Sequence, residues 1–159
     1  MAAFIKFDGV DGESLDKEHK NWSNLSSFSQ SIIKPGQGAT GVTRRRGDVV
    51  LDDLNCNKEL DKSSPKLAES ICKGKIFPKV DIHVTSSNTD GGRVTYYAYE
   101  LKNVMVTNYQ VNGSGAEVPP SESFSLNFEE IRVTYTENDS KGSKKGNVEY
   151  SWKVEEGEK

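Results

Sequence analysis

The residues that could do chemistry are few, and each has a competing plain reading. Gly36-Gln37-Gly38-Ala39-Thr40-Gly41 matches G-x-G-x-x-G, a pattern that cradles a dinucleotide only when it joins a strand to a helix whose N-terminus holds the pyrophosphate. Val42 to Gly47 follow with no helical face, so the segment reads as a flexible loop. Arg44, Arg45 and Arg46 could grip phosphates, yet no aromatic platform stands beside them. A solvated run or an inter-subunit salt contact fits them better. His19 and His83 are the only histidines; neither comes with the spacing of a triad or a metal site, and both are expected at the surface. Asp52-Asp53 and Glu129-Glu130 are neighbours along strands, so each pair points to opposite faces and cannot form a close carboxylate couple. Tyr96, Tyr97 and Tyr99 read as strand packing and less well as a sugar-stacking platform. Cys56 and Cys72 lack CxxC spacing and read as two reduced thiols, with a disulfide or redox role as the alternative. No catalytic, cofactor or metal constellation emerges from these residues.

Composition narrows the function further. The 159 residues suit one domain, expected over 1–159. With 21 Lys plus Arg against 24 Asp plus Glu, the net charge is −3. That balance gives no concentrated positive field to draw nucleic acid or anionic membrane. The N-terminus has no basic stretch followed by an apolar one, and no apolar run approaches spanning length. Export, if it occurs, is therefore expected to bypass the general pathway, and the sequons at Asn21, Asn24 and Asn112 carry no meaning. Hydrophobic residues make up only 33%, enough for one thin core whose burial an oligomer could complete.

The elements that must position these residues are mostly strands. Phe4–Phe7 reads as a first strand, closed by Asp8-Gly9 and Asp11-Gly12. Trp22–Ile33 reads as one extended run, with Trp22, Ser26 and Phe28 on one face and Leu25, Ser27 and Ser29 on the other. Asp48–Cys56 is a third strand. Pro78–Thr85 puts Val80, Ile82 and Val84 on one side, and a hairpin at Thr89–Gly92 leads into Arg93–Val106. Asn112–Gly115 marks a break. In Ser123–Thr136 the inward residues change parity, from Phe124, Leu126 and Phe128 to Ile131, Val133 and Tyr135, which predicts a bulge near Glu129-Glu130. The last strand runs from about Asn147 to Val154, with a frayed tail over about 155–159. One helix is signalled over about 65–73: Ser64 as cap, Pro65 at the first position, Leu67, Ala68 and Ile71 on one face, and Lys73-Gly74 at the end. The segments Lys34–Gly47 and Glu137–Gly146 lack a regular pattern, and a loop as long as the first is usually functional or partner-docked.

Several segments in order resemble the hemolysin-coregulated protein family of type VI secretion systems. Ile5-Lys6 through Gly12-Glu13-Ser14, with Asp16 and His19, looks like its opening. Leu60-Asp61-Lys62-Ser63-Ser64-Pro65-Lys66-Leu67, then Gly74-Lys75 and Phe77, is similar to its helix signature. Leu101, Val104 and Val106, Pro120–Phe128 with Ile131 and Tyr135, and Gly146–Val148 with Trp152 resemble its later strands. The resemblance implies a mainly β fold, a small β-barrel of two antiparallel sheets with one α-helix on the side. It implies a homohexameric ring with an open channel, and rings stacked into the inner tube of a contractile injector, a structural part and no enzyme. The implied partners are a spike protein of valine-glycine repeats, a contractile sheath and secreted effector proteins. The implied route is from the bacterial cytoplasm outward without a signal peptide. The Trp22–Ile33 strand matches the one that borders the channel, which makes Ser27, Ser29 and Ser31 channel-lining candidates, with Ser29 a cargo contact; plain barrel packing is the alternative for these serines. The long loop over 34–47 occupies the place of one that reaches an adjacent subunit, which makes Gly36, Gly38, Gly41 and Arg44–Arg46 candidates for that contact. A phage-type tail-tube protein or a β-sandwich binding module are the other readings, and an effector-fused tube protein is disfavoured by the chain's end after the last strand.

Overall fold

The computed structural model describes residues 1–34, 49–88, 92–116, 118–139 and 144–154. Eleven strands and one helix are described. In chain order they are β1 (Ala2–Phe7), β2 (Ser23–Leu25), β3 (Ser27–Ser29), β4 (Ile32–Ile33), β5 (Val50–Leu51) and β6 (Leu54–Glu59). Helix α1 (Ser64–Lys73) follows, then β7 (Phe77–Ser87), β8 (Arg93–Asn112), β9 (Ser121–Asn127), β10 (Glu130–Asn138) and β11 (Lys144–Lys153). All pairings are antiparallel.

The 20-residue β8 organises the barrel by belonging to two sheets. Its first half lies between β7 and β10, while its second half pairs with β9. A register shift between Val106 and Asn108 lies near that change of partners, as a bulge-bent strand in a barrel should. Sheet A thus runs β2-β1-β7-β8-β10-β11, and sheet B runs β8-β9-β6-β3. Residues 23–29 close the barrel: β2 pairs with β1 in sheet A, and β3 pairs with β6 in sheet B. At the corner between them the Ser26 N–H donates to the Asn57 carbonyl (2.8 Å).

That corner corrects the single strand expected over Trp22–Ile33. The chain changes partner twice and gives three short strands, and the inward parity flips at Ser26, so that Leu25 is buried and Phe28 also packs against the core. The second change occurs after Gln30, where β4 leaves sheet B to pair with β5. The strand expected over Asp48–Cys56 likewise splits at Asp52-Asp53 into β5 and β6. In place of a bulge at Glu129-Glu130, the structure has a strand break: β9 ends in sheet B and β10 begins in sheet A. Glu129 is still held there, its N–H donating to the Lys102 carbonyl (3.1 Å) and its carbonyl accepting from Val154 (2.8 Å). Ile131 and Val133 are buried as expected, but Tyr135 is 47% exposed, because β10 carries it past the packed interior, beside Tyr97 of β8 and Val148 of β11.

The core fills the space between the two sheets. Ile5, Phe7, Ile82 and Leu101 of sheet A meet Leu54, Phe124 and Leu126 of sheet B, all essentially without exposed surface. Phe7 packs at 5.2 Å from Phe77 and 5.9 Å from Phe124, ring centre to ring centre. Helix α1 adds Leu67, also fully buried. Its start differs in detail from expectation. Ser63 occupies the cap position without a side-chain cap bond. Ser64 is already helical, and its hydroxyl accepts from the Asp61 N–H (3.0 Å). Asp61 organises the turn by accepting from the Ser63 N–H (2.9 Å) and hydroxyl (2.5 Å). Beneath this turn Lys58 is fully buried, bonded to Asp61 (2.9 Å) and ion-paired with the equally buried Glu122. Tyr109 donates its hydroxyl to Glu122. Burial pushes the Asp61 carboxyl up, but the Ser63 hydroxyl and the Lys58 ammonium outweigh that and hold it below its ordinary value. The helix ends as its sequence signals, with Gly74 left-handed (φ 64°) and its N–H donating to the Ile71 carbonyl.

The histidines are not on the surface as expected. His19 is 3% exposed and His83 is half-buried, because residues 10–22 fold back over β1 and β7 and press the two rings together. Cys56 is buried and Cys72 exposed, both as free thiols.

Candidate functional site

The outer face of sheet B is a wall of small uncharged side chains. Register alone sets this. Ser27 stands opposite Asn57, Asn57 opposite Ser123, and Ser123 opposite Gln110. The next row is Ser29, Asn55, Ser125 and Asn108. Because strand side chains alternate, the residues between these point inward: Phe28, Cys56, Phe124 and Tyr109. Two rows of four polar residues therefore cross four strands, and none of the eight is ionisable.

Hydrogen bonds hold the rows in place. The Asn57 amide donates to the Ser27 hydroxyl (3.0 Å) and accepts from the Ser123 hydroxyl (2.5 Å). In the second row Ser125 donates to Asn55 (2.6 Å). Among the described residues the Ser29 hydroxyl and the Asn108 amide, at the two ends of that row, bond to no other side chain. Asp53 bounds the wall on one side, accepting from Thr107 (2.8 Å) and Asn127 (3.0 Å). Glu59 bounds the other, in a row with Ser121 and Asn112. Such a surface can donate and accept neutral hydrogen bonds. The side-chain partners of the row hydroxyls are the neutral amides of Asn55 and Asn57. Among the described residues no group of three or more His, Cys, Asp or Glu is placed to hold a metal ion.

The outer face of sheet A is the opposite in kind. Asp81, Glu100 and Arg132 lie side by side across β7, β8 and β10, and Lys79, Lys102 and Glu130 form the next row. Arg132 bonds Glu100 at 2.8 Å. Burial pushes Asp81 above the ordinary carboxylate value; Glu100 stays below its own because Arg132 overcomes the same effect.

The structure brings together two of the three serines expected to share a face. Ser27 and Ser29 are exposed on β3; Ser31 lies between β3 and β4, outside the rows, its carbonyl accepting from the Asp52 N–H (3.0 Å). Gly36, Gly38, Gly41 and Arg44–Arg46 lie outside the described residues. The two strands that lead into that segment are described: β4 and β5 form a separate two-stranded arm on which Ile32, Ile33 and Val50 are each about half exposed (51%, 51% and 47%). Sequence reasoning missed Asn55, Asn57 and Asn108. Their signal was present in part, since inward Phe124 and Leu126 already imply outward Ser123 and Ser125. The asparagines needed the strand pairing.

A family described as type VI secretion system effector, Hcp, matches residues 4–135. The chain belongs to this family. Among its Hcp relatives, the protein hcp1 of Pseudomonas aeruginosa is 31% identical over 152 residues, spanning 95% of this chain and 93% of that one. A solved structure of a type six secretion system protein superposes with a TM-score of 0.89 at 26% identity, over 99% of this chain and 98% of that one. A type VI secretion system effector from Yersinia pestis, at TM-score 0.77 and 23% identity over 96% and 99% of the two chains, shares the Hcp fold. The two-sheet barrel, with one helix among the described residues, is thus the Hcp architecture over nearly the whole chain. No described helix is long and apolar enough to cross a membrane.

Proposed function

We propose that this chain is the single-domain tube subunit of a type VI secretion system, with six copies closing into a ring and rings stacking into the propelled inner tube. The observation that carries the reading is the contrast between the two outer faces. The uncharged wall of sheet B lines the channel, and the charged face of sheet A looks outward. A channel that passes folded cargo must wet and contact varied surfaces without gripping any of them. Neutral serine and asparagine side chains do this, whereas fixed charges would trap cargo of opposite sign and repel the rest.

The edges of sheet B support a ring as well. Among the described residues β3 pairs only with β6, and the second half of β8 only with β9, which leaves strand edges at both ends of the sheet for a neighbouring copy. The β4–β5 arm presents half-exposed Ile32, Ile33 and Val50, and the contact with the adjacent subunit is proposed to include Gly36, Gly38, Gly41 and Arg44–Arg46. The exposed Tyr135, Val148 and Tyr150 on β10 and β11 provide apolar surface to receive such an arm. The assembled tube is capped by the valine-glycine repeat spike, surrounded by the contractile sheath and fired from the bacterial cytoplasm with effectors. Ser27 and Ser29, with Ser31 beyond the rows, face the channel, and Ser29 touches cargo. The part played is structural, without a catalytic step or cofactor.

The test is Ser29→Arg on rings purified with a co-expressed effector. Rings are expected to remain intact while effector retention is lost. Intact rings with unchanged retention would remove Ser29 as a cargo contact.

A further inference from the structure

Residues 10–22 lie as a strap across β1 and β7; besides the Lys62 N–H donated to Glu13 (3.1 Å) and the Arg93–Asp16 pair (3.6 Å), two devices hold it. One is Lys6, whose ammonium bonds the Val10 carbonyl (2.8 Å), the Asp11 carboxylate (2.6 Å) and the Asn21 carbonyl (3.5 Å), so pinning both ends. The other is His19, in the middle. Its ring stacks on Phe4 (4.5 Å, 7° between planes) and meets Trp22 edge-on at 4.8 Å. Its Nδ1 donates to Asp16 (2.8 Å), and its Nε2 lies 3.0 Å from His83 Nδ1. Phe4 and His83 are register partners on β1 and β7, so one side chain of the strap bridges both strands.

We propose that the Asp16–His19–His83 chain is an acid-released latch, holding residues 13–20 closed while the two imidazoles share one bridging proton and letting them open when a further proton is taken up. In the closed state His19 Nδ1–H faces Asp16, and the proton between the rings sits on the line from His83 Nδ1 to His19 Nε2. A further proton must add a positive charge to this buried pair. The charged groups facing it are few. Asp16 opposes the charge but is shared with Arg93 of β8, 3.6 Å away. Lys79 on β7 repels it. Asp81 on β7 is engaged with Lys79 (3.6 Å), and Asp11 with Lys6. That proton enters at His83 Nε2, since the other three ring nitrogens are already engaged; the bond between the rings survives, but a charge is buried beside Lys79. Once the strap is open, water solvates that imidazolium. The same balance of burial, His19 and Lys79 pushes His83 down to about 4 from its ordinary 6.5. Opening also uncovers Phe4 on the outer face of sheet A, while the wall on sheet B is untouched.

Hydrogen exchange on the full chain, corrected for the intrinsic pH dependence, tests the latch through the amides of Ser14, His19, Asn21 and Trp22, which donate to strap carbonyls. Their protection is expected to fall about tenfold per pH unit between 6.5 and 4.5, the slope of one proton, while amides of β7 and β8 keep theirs. His83→Gln, which retains a neutral donor, should abolish the slope, and Asp16→Asn should move opening to higher pH. Flat protection in the wild type, parallel loss in β7 and β8, an unchanged slope in His83→Gln, or an unmoved Asp16→Asn would each overturn the latch.

Discussion

Lys58 and Glu122 have no exposed surface, and this ion pair under the start of α1 is where single substitutions should matter most. Lys58→Met leaves two carboxylates without their cation and is expected to cost about 3–5 kcal/mol, read from urea denaturation, because an uncompensated buried charge is far worse than no charge at all. Lys58→Met with Glu122→Gln should recover part of that loss. A Lys58→Met midpoint equal to wild type would show that the pair is not the anchor described. His83 sets a pH dependence at the same scale. A histidine held near 4 when folded and 6.5 when unfolded contributes its full stability above about 6.5 and loses it as pH falls towards 4. Urea midpoints should therefore decline across that window in the wild type and stay level in His83→Gln. Little of this was legible beforehand. Ser27 and Ser29 follow from alternation on one strand, but the burial of His19 depends on a partner 64 residues away, which no local pattern reports.

At the scale of elements, legibility follows how local the signals are. Helix α1 could be read from Pro65, the Leu67–Ile71 face and Gly74 because a helix is specified within a few residues of itself. Gly74→Ala at φ 64° is expected to cost about 1–2 kcal/mol, and Leu67→Ala about 2–5 kcal/mol, both by thermal or chemical denaturation. If Gly74→Ala were neutral, the left-handed cap would not be contributing. Strands were harder wherever the chain changes partner. The parity flip at Ser26 and the break at Phe128–Glu129 both mark passages from one sheet to the other. In the sequence each looks like a continuing strand or a bulge, because side-chain alternation records which face is buried but not which neighbour supplies the pairing. β8 was recognised only to Val106, although it runs on to Asn112, since its second half pairs with β9 and turns a more polar face outward.

At the scale of the whole molecule, the proposed ring accounts together for the lean hydrophobic content, the sheet B edges and the β4–β5 arm, because a neighbouring copy would complete the burial. Ile33→Glu should leave the monomer as stable as wild type, because the side chain is already half exposed, yet prevent assembly, as size-exclusion chromatography will report. A stable Ile33→Glu assembly of wild-type size would move the contact elsewhere. The most direct measurement is the native mass of the purified full chain together with negative-stain images. The proposed tube subunit gives the mass of six chains and six-fold rings with an open centre. A clean monomer at high concentration, with no rings in the images, would contradict it.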